Sequence, residues 1–558
     1  LFEASRPFAF FDYFRIPYEV RPSRQGDSHA GAAAFVCTLT TLARPGQAAR
    51  SLMWVSADAR PAAWSGTGQL GCYRLDNFTF FGHVAPDAAV RAMLPRPERD
   101  WRPAESIQAE DGRQVAAVWR DRDGNVFLPF DPGEVMGLFW SEGYRDIGRS
   151  AVAAFCRAAA LRGYYLARPA LPRPVQLRLR RLFTHVQATS AFPGWPVEDS
   201  LHDFYGWLFA MIAEVAGGPV PFLGLWPAGR SWALVLTHDV ETAVGYRDMN
   251  LLRAPERVRG YRSSWNLVGA RYQVDSETVR SLQDDGCEIG VHGLWHDGRD
   301  LTGRFLDERL PAMWEHASQW NAVGFRSPAT HRDWELMHRL GFDYDSSYAD
   351  TDPYEPQPGG CCTFLPYFNR GTVELPITLP QDHTLFTILQ HADAELWLRK
   401  AEHIRDRAGM VLVLTHPDYA RDKRLADGYQ KLLDTFADDR TAWHALPREV
   451  AAWWRDRAAS TIRGNGGGWT IDGPAADAGQ VCYAGAGSMA GLRSSPIGLR
   501  RAQTTLWLMP RNGPGRTAAL TGARPTPVTR RSSKSRSRVR NSVIERIAKP
   551  RTWSPLPM

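Results

Sequence analysis

The chain predicts an α/β protein: a distorted (β/α) barrel of about seven strands over residues 225–458, preceded by a mixed α+β N-terminal domain. Three observations carry this. Between 225 and 458, short and continuously apolar segments alternate with amphipathic ones of helical period, as buried parallel strands alternate with crossover helices. The apolar segments number seven, at 232–238, 264–269, 287–291, 322–326, 341–344, 372–375 and 410–415. Asp239, Glu241, His292, Arg326 and His416 all stand at or just past the C-terminal end of one of them, the face on which barrel enzymes gather their chemistry.

Taken in order, residues 1–190 read as the mixed, strand-rich domain. The aromatic run Phe8 to Tyr18 is strand-like, and Gly71–Leu75, Phe78–Val84, Val115–Trp119 and Asn125–Leu128 are further strand candidates. Pro129-Phe-Asp-Pro-Gly133 breaks into a helix over Glu134–Glu142, with a second over Arg149–Ala160. A proline-studded stretch, Pro169–Pro174, closes this region. The basic and apolar alternation of Gln176–Phe183 reads as a solvated amphipathic element.

Residues 191–224 form a helical connector. Leu201, Phe204, Tyr205, Leu208, Phe209 and Ile212 recur there at helical spacing until Gly217-Gly218-Pro219 stops the helix. Within the barrel, helices are expected over 275–284, 304–320, 332–340, 394–407 and 424–436. Residues 459–489 read as a Gly-rich linker and a partial β module, Trp469–Ile471 and Gln480–Tyr483, that is never completed. Residues 490–558 form a basic tail without periodicity, for which disorder is expected. The abrupt change of composition there favours a frame-shifted end over a genuine tail. The chain begins with Leu1 rather than Met, so a start or leader is expected to be missing.

The net charge of +7 belongs to that tail, which holds 15 Lys/Arg against one acid, Glu545. The other 489 residues carry 52 Lys/Arg and 59 Asp/Glu. A mildly acidic folded part argues against a specific nucleic-acid partner. An apolar fraction of 44% and 21 tryptophans supply a large core. The seven cysteines are odd in number and form no CxxC pair, which argues against a disulfide framework or a cysteine zinc cluster. No apolar run reaches the ~18 residues a transmembrane segment needs, and a cytoplasmic location is the expectation. Oligomeric state and substrate-binding residues are unknown at this level.

The chemistry concentrates in two stretches. Thr237-His-Asp-Val-Glu241 ends an apolar strand in two carboxylates, and Glu288–Asp297 reads as a buried strand running into a loop that carries two histidines four apart, His292 and His296. On a helical turn that spacing would put both imidazoles on one face. Two histidines and a carboxylate leave coordination positions open for water and substrate, so a divalent metal ion is the implied cofactor. Singly, each residue has a bland reading: His416 as a hydrogen-bonded core histidine, Arg326 as an ion-pair partner, Asp239 as a helix cap. Five strand-end polar positions together favour a site. His331, His338, His391 and His403 fall on predicted helices and read as structural, while His238 and His383 stay open.

These motifs, in this order, resemble the polysaccharide deacetylases, the family 4 carbohydrate esterases and their relatives. Thr237–Glu241 is similar to the family's first motif, His292–His296 to the second, Phe325-Arg-Ser-Pro328 to the third, and Val413-Leu-Thr-His416-Pro to the fifth. Val373-Glu-Leu-Pro376, with Asp382 nearby, is a looser match to the fourth, and Tyr344-Asp-Ser-Ser347 to a recurrent strand end. Leu128-Pro-Phe-Asp131 resembles the companion domain ahead of some bacterial deacetylases.

The resemblance implies Glu241, His292 and His296 as ligands of a metal, zinc foremost. It implies Asp239 as catalytic base held by Arg326, and His416 as general acid tuned by Glu374 or Asp382. The reverse assignment of Asp239 and Glu241 stays open, because Val240 separates carboxylates that many relatives carry side by side. Ala329-Thr330 stands where relatives often have aromatic-Gly, which leaves the usual oxyanion contribution open, and motif four lacks its tryptophan.

The implied function is metal-dependent hydrolysis of an N-acetyl group on an N-acetylhexosamine-containing glycan or precursor. The alternatives are a catalytically inactive glycan-binding relative or a hydrolase of another C–N amide bond. An HExxH peptidase is excluded by Gly293, which follows the first histidine. Non-haem Fe(II) oxygenases, which share the ligand set, sit on a β-sandwich instead of an alternating pattern.

Overall fold

A computed structural model describes residues 8–20, 34–38, 50–55, 70–94, 100–147, 178, 180, 181, 184, 192–464 and 468–485. The predicted helix Arg149–Ala160, the Pro169–Pro174 stretch, most of Gln176–Phe183, the linker positions 465–467 and the tail from 490 lie outside them. Among the described residues no helix is long and apolar enough to cross a membrane.

The barrel sheet is organised on β1, Trp232–Val240, all nine of whose residues are buried. Its other strands are β2 Ser264–Leu267, β3 Glu288–Val291, β4 Gly324–Phe325, β5 Tyr344–Asp345, β6 Tyr367–Asn369, β7 Thr372–Glu374, β8 Met410–Thr415 and β9 Ala442–His444. The order is β6-β7-β5-β4-β3-β2-β1-β8, parallel throughout except for the β6–β7 hairpin, with β9 pairing the start of β1. Six of the seven predicted strands are present over their expected segments, and the one expected at 341–344 is displaced to Tyr344–Asp345. Helices cover them at Ser276–Asp284, Gly303–Trp320, Trp334–Met337, Glu395–Asp406 and Lys423–Phe436. Parallel strands buried on both faces explain the unbroken apolar runs of β1 and β8.

The barrel is distorted because side-chain bonds replace a ladder where it closes. Beyond β7, the Ile377 N–H reaches Tyr348 O (2.8 Å), and the Thr378 N–H reaches Leu412 O of β8 (3.2 Å). The Thr378 hydroxyl donates to Met410 O (2.9 Å) and accepts from the Leu412 N–H (2.8 Å). One hydroxyl thus satisfies two backbone groups of a strand that, among the described residues, pairs with no strand on that side.

The N-terminal lobe is an eight-stranded, mainly antiparallel sheet covered by the helices Pro132–Trp140 and Ser200–Ala216. The first helix starts where Asp131 accepts from the Gly133 and Glu134 N–H groups. The aromatic run expected as strand is a helix, Ala9–Phe14. Its Phe10 and Phe14, four apart, both pack on Phe209 and Tyr205, and that docking overrides the strand preference of aromatics. Strand Trp101–Ala109 escapes prediction because most of its side chains are not buried.

Lobe and barrel share one core. Trp140 stacks on Tyr367 at 5.4 Å, and the Tyr13 hydroxyl donates to Pro366 O. The buried Arg457 guanidinium spends its donors on the carbonyls of Tyr13, Leu223 and Gly224. The segments read as an uncompleted β module find partners instead: Trp469–Asp472 pairs with Thr461–Gly464, and Val481–Ala484 with Val220–Leu223 of the connector.

Thr378→Val removes the closing hydroxyl at nearly constant shape and leaves two buried backbone groups unpaired. We expect a loss of ~1–3 kcal/mol in chemical denaturation. A change below ~0.5 kcal/mol would mean that closure does not depend on this side chain.

Candidate active site

Because the strands run parallel, their C-terminal ends converge on one rim, and the register sets which side chains meet. Asp239 pairs with Asn266 across β1 and β2. The Asn266 Nδ2 donates to Asp239 Oδ1 at 2.8 Å, and Arg326 Nη1 donates to the same oxygen at 3.1 Å. Arg326 also reaches the Thr237 hydroxyl (2.8 Å) and Ser346 O (2.7 Å). Asp239 Oδ2 is left facing His292 Nε2, 3.7 Å away. Burial works to raise the Asp239 pKa, but His292, Arg326 and His416 outweigh it and hold the carboxyl below its ordinary value.

The two histidines meet through a loop, not on a helical turn. Residues 292–298 form no helix: Gly293 has φ +67° and His296 φ +54°. A Cβ on Gly293 would stand 2.1 Å from Asp300 Oδ2, so position 293 requires glycine on both counts. Asp300 holds the loop by accepting from the Leu294 N–H and from Arg309. His292 Nδ1 is bonded to Arg326 O (3.0 Å), which leaves Nε2 buried without a hydrogen-bond partner among the described residues. Burial pushes the His292 pKa down to about 4, against the pull of Asp239, so the ring is neutral with its Nε2 lone pair free.

His296 Nε2 lies 3.0 Å from Glu241 Oε1. One donor atom from each of Glu241, His292 and His296 falls within 4.8 Å of the others. An orphaned imidazole nitrogen converging with a second imidazole and a carboxylate fits a divalent cation of the zinc type. Glu241 is itself placed by Asp418, which accepts from its N–H at 3.0 Å. Burial opposes ionisation of Glu241, yet His296 beside it keeps the carboxyl well below the ordinary range.

His416 faces the same space from β8, with Nε2 3.8 Å from Glu241 Oε1. Its Nδ1 is 2.6 Å from Asp382 Oδ1, and its N–H donates to Asp382 Oδ2 at 2.7 Å. Burial disfavours the imidazolium, but Asp382, Glu241 and Asp239 reverse this and push the His416 pKa up to about 10. Glu374, the other residue read as tuning His416, does something else. It sits opposite Asp345 across β5 and β7, and burial together with Asp345 drives its pKa far up, so it stays protonated.

His238 points away from the rim, between Thr415 Oγ1 (2.7 Å) and Glu256 (2.7 Å), and is structural. His383 rests against Tyr419, with ring centroids 5.1 Å apart. His331 and His391 lie outside helices, contrary to expectation. Asn266, Asp300 and Asp418 went unsingled by sequence, and Ser346 entered only within Tyr344-Asp-Ser-Ser347. Asn266, a polar residue inside the apolar run of β2, is the one whose position gave a usable signal.

No family model and no curated protein matches the chain. Solved structures do. A protein described as a polysaccharide deacetylase from Mycobacterium smegmatis is 19% identical, covering 41% of this chain and 92% of that one, with a TM-score of 0.35. Puue allantoinase is 16% identical, covering 42% and 93%, with a TM-score of 0.34. Peptidoglycan deacetylase PdaC from Bacillus subtilis is 14% identical, covering 41% and 94%, with a TM-score of 0.26. Polysaccharide deacetylases and a family 4 carbohydrate esterase thus recur among the similar structures, while the chemistry of this chain rests on its own residues.

Proposed function

We propose that the protein is a metal-dependent deacetylase that hydrolyses the N-acetyl amide of an N-acetylhexosamine-containing glycan or glycan precursor. The observation that carries this is the division of labour on one barrel rim. A braced carboxylate, Asp239, and a carboxylate-backed imidazole, His416, converge on the trio Glu241, His292 and His296.

A divalent ion held by that trio would supply Lewis acidity toward an acyl oxygen and a water. The rest falls to the chain. Asp239 has Oδ1 committed to Arg326 and Asn266, so Oδ2 is the free oxygen that takes the water proton. This commitment favours Asp239 as base and Glu241 as ligand over the reverse. His416, protonated and fixed through Nδ1, presents Nε2 to the departing amine nitrogen. A base and an acid whose pKa values are pushed apart are what amide hydrolysis at neutral pH needs.

The decisive experiment is acetate release from a panel of N-acetylhexosamine polymers, precursors and model amides, with and without chelator. We expect release that chelation abolishes and zinc restores. Metal-loaded protein that releases nothing from any of them would leave glycan binding as the better reading.

His292→Ala and His296→Ala should each weaken zinc binding by roughly 100-fold or more, since even outer partners of a ligand are worth ~10–100-fold. His416→Ala should keep the metal and lose ~10²–10⁴-fold in kcat. Full zinc content in the His292→Ala/His296→Ala double variant sinks the ligand assignment.

Asp382→Asn removes the main charge that holds the proton on His416. An acid works only below its pKa, so activity falls as pH rises through that value. The alkaline limb of kcat should therefore move to lower pH, by roughly 1–3 units. An unmoved limb would assign the acid elsewhere.

A further inference from the structure

The turn that follows Arg326 is held in a conformation its residues disfavour. Ala329 has φ +55° and Thr330 φ +52°. Two consecutive residues with a Cβ in the left-handed region are disfavoured by sterics, a β-branched one most of all. Such backbone persists only where its surroundings over-determine it. The turn also abuts the histidine loop: a Cβ on Gly293 would stand 2.8 Å from Pro328 Cγ, and His292 Nδ1 bonds to Arg326 O at the start of the turn.

Beside the bonds of Ser327 with Thr330 and Ser347, a brace on the turn comes from the N-terminal lobe. Arg332 Nη1 donates to Thr330 O at 3.1 Å, while its Nε and Nη2 clasp Glu142 Oε1 at 2.7 and 2.5 Å. Glu142 follows the lobe helix Pro132–Trp140, and its other oxygen accepts from Arg145 at 2.9 Å. Arg332 and Glu142 are both buried, with side chains 2% and 3% exposed. The Arg332 backbone is pinned on the far side by Gln357, which accepts from its N–H and donates to its carbonyl. Nearby, the Tyr144 hydroxyl of the lobe donates to Gly360 O and accepts from Gly360 N–H. A buried ion pair is a weak source of net stability compared with apolar packing, and its best-attested use is to fix geometry. Here the geometry it fixes is that of a strained turn beside the catalytic rim.

We infer that Glu142 is a positioning residue: through Arg332 the N-terminal lobe sets the Pro328–Thr330 turn against the histidine loop, so that the lobe is a working part of the active site. This rests on the deacetylase reading for its kinetic consequence but not for its structural one.

The test compares Glu142→Gln and Arg332→Lys with Arg120→Gln, which breaks a lobe ion pair with Glu105 and Glu214. Glu142→Asp, which keeps the charge but withdraws it from Arg332, replaces Glu142→Gln if that variant does not fold. In the folded Glu142 and Arg332 variants, we expect kcat to fall ~10- to ~100-fold through misplacement of a remote contact, with KM and zinc content retained. Amide hydrogen exchange should rise over 326–334 and stay unchanged over 410–415. Arg120→Gln should change neither quantity. Unchanged exchange over 326–334, an equal rise everywhere, or an unaltered kcat in an active and folded variant would overturn the proposal. If the parent protein releases no acetate at all, the deacetylase reading falls, and the exchange comparison alone decides whether Glu142 holds the turn.

Discussion

Arg326 is the side chain on which the rim depends. Its guanidinium is buried, 1% exposed, and lies where β1 delivers Thr237 and Asp239 and the end of β5 delivers Ser346. Its own carbonyl fixes the tautomer and direction of His292. One residue therefore orients the carboxylate proposed as base and a histidine proposed as ligand. A buried guanidinium deprived of its carboxylate, or the reverse, costs about 3–5 kcal/mol because the remaining charge is uncompensated. The same constraint explains why β5 ends in Asp345-Ser346-Ser347. Ser346 supplies acceptors to Arg326, and Ser347, bonded to Asp345, accepts from the Ser327 N–H.

Burial then sorts the ionisable groups by their partners. Desolvation alone would neutralise every one of them. Asp239 resists because cationic and imidazole neighbours face it, and His416 because three carboxylates do. His292 yields, which frees a nitrogen lone pair. Glu374 yields too, with another acid, Asp345, opposite it across the strand. Four buried groups within one sheet thus end in different protonation states through neighbours alone, the pattern expected where acid and base must coexist.

The strand-end residues were legible in the sequence because two periodicities coincide there: apolar runs mark buried parallel strands, and the first polar residue after each run falls on the rim. His292 and Arg326 follow directly from that rule, while His416 stands one residue and Asp239 two residues beyond the first polar position. The loop that carries His292 and His296 was legible too, but not its left-handed turn at Gly293, which the close approach of Asp300 and Pro328 imposes. Glu374 and Asp382 could not be told apart because one ends β7 and the other follows it before β8, and only the path of residues 377–382 decides which reaches His416. The helix Ala9–Phe14 was unreadable for a different reason: its aromatic faces are satisfied by Tyr205 and Phe209, nearly two hundred residues away.

Position 330 joins these arguments. A glycine would adopt the left-handed conformation of that turn without steric cost, and the turn would then need little outside support. Threonine there makes the conformation depend on what surrounds it. The carbonyl that Thr330 presents is taken by Arg332, and Arg332 is held by a carboxylate from a different lobe. A residue that looks like a departure from a motif is thus matched by a long-range ion pair that no local window contains. The shared core of lobe and barrel follows the same logic, because a tie of this kind holds its geometry only if the two bodies it joins are rigid relative to each other. The stacking of Trp140 on Tyr367 and the bonds of the barrel's buried Arg457 to lobe and connector carbonyls supply that rigidity.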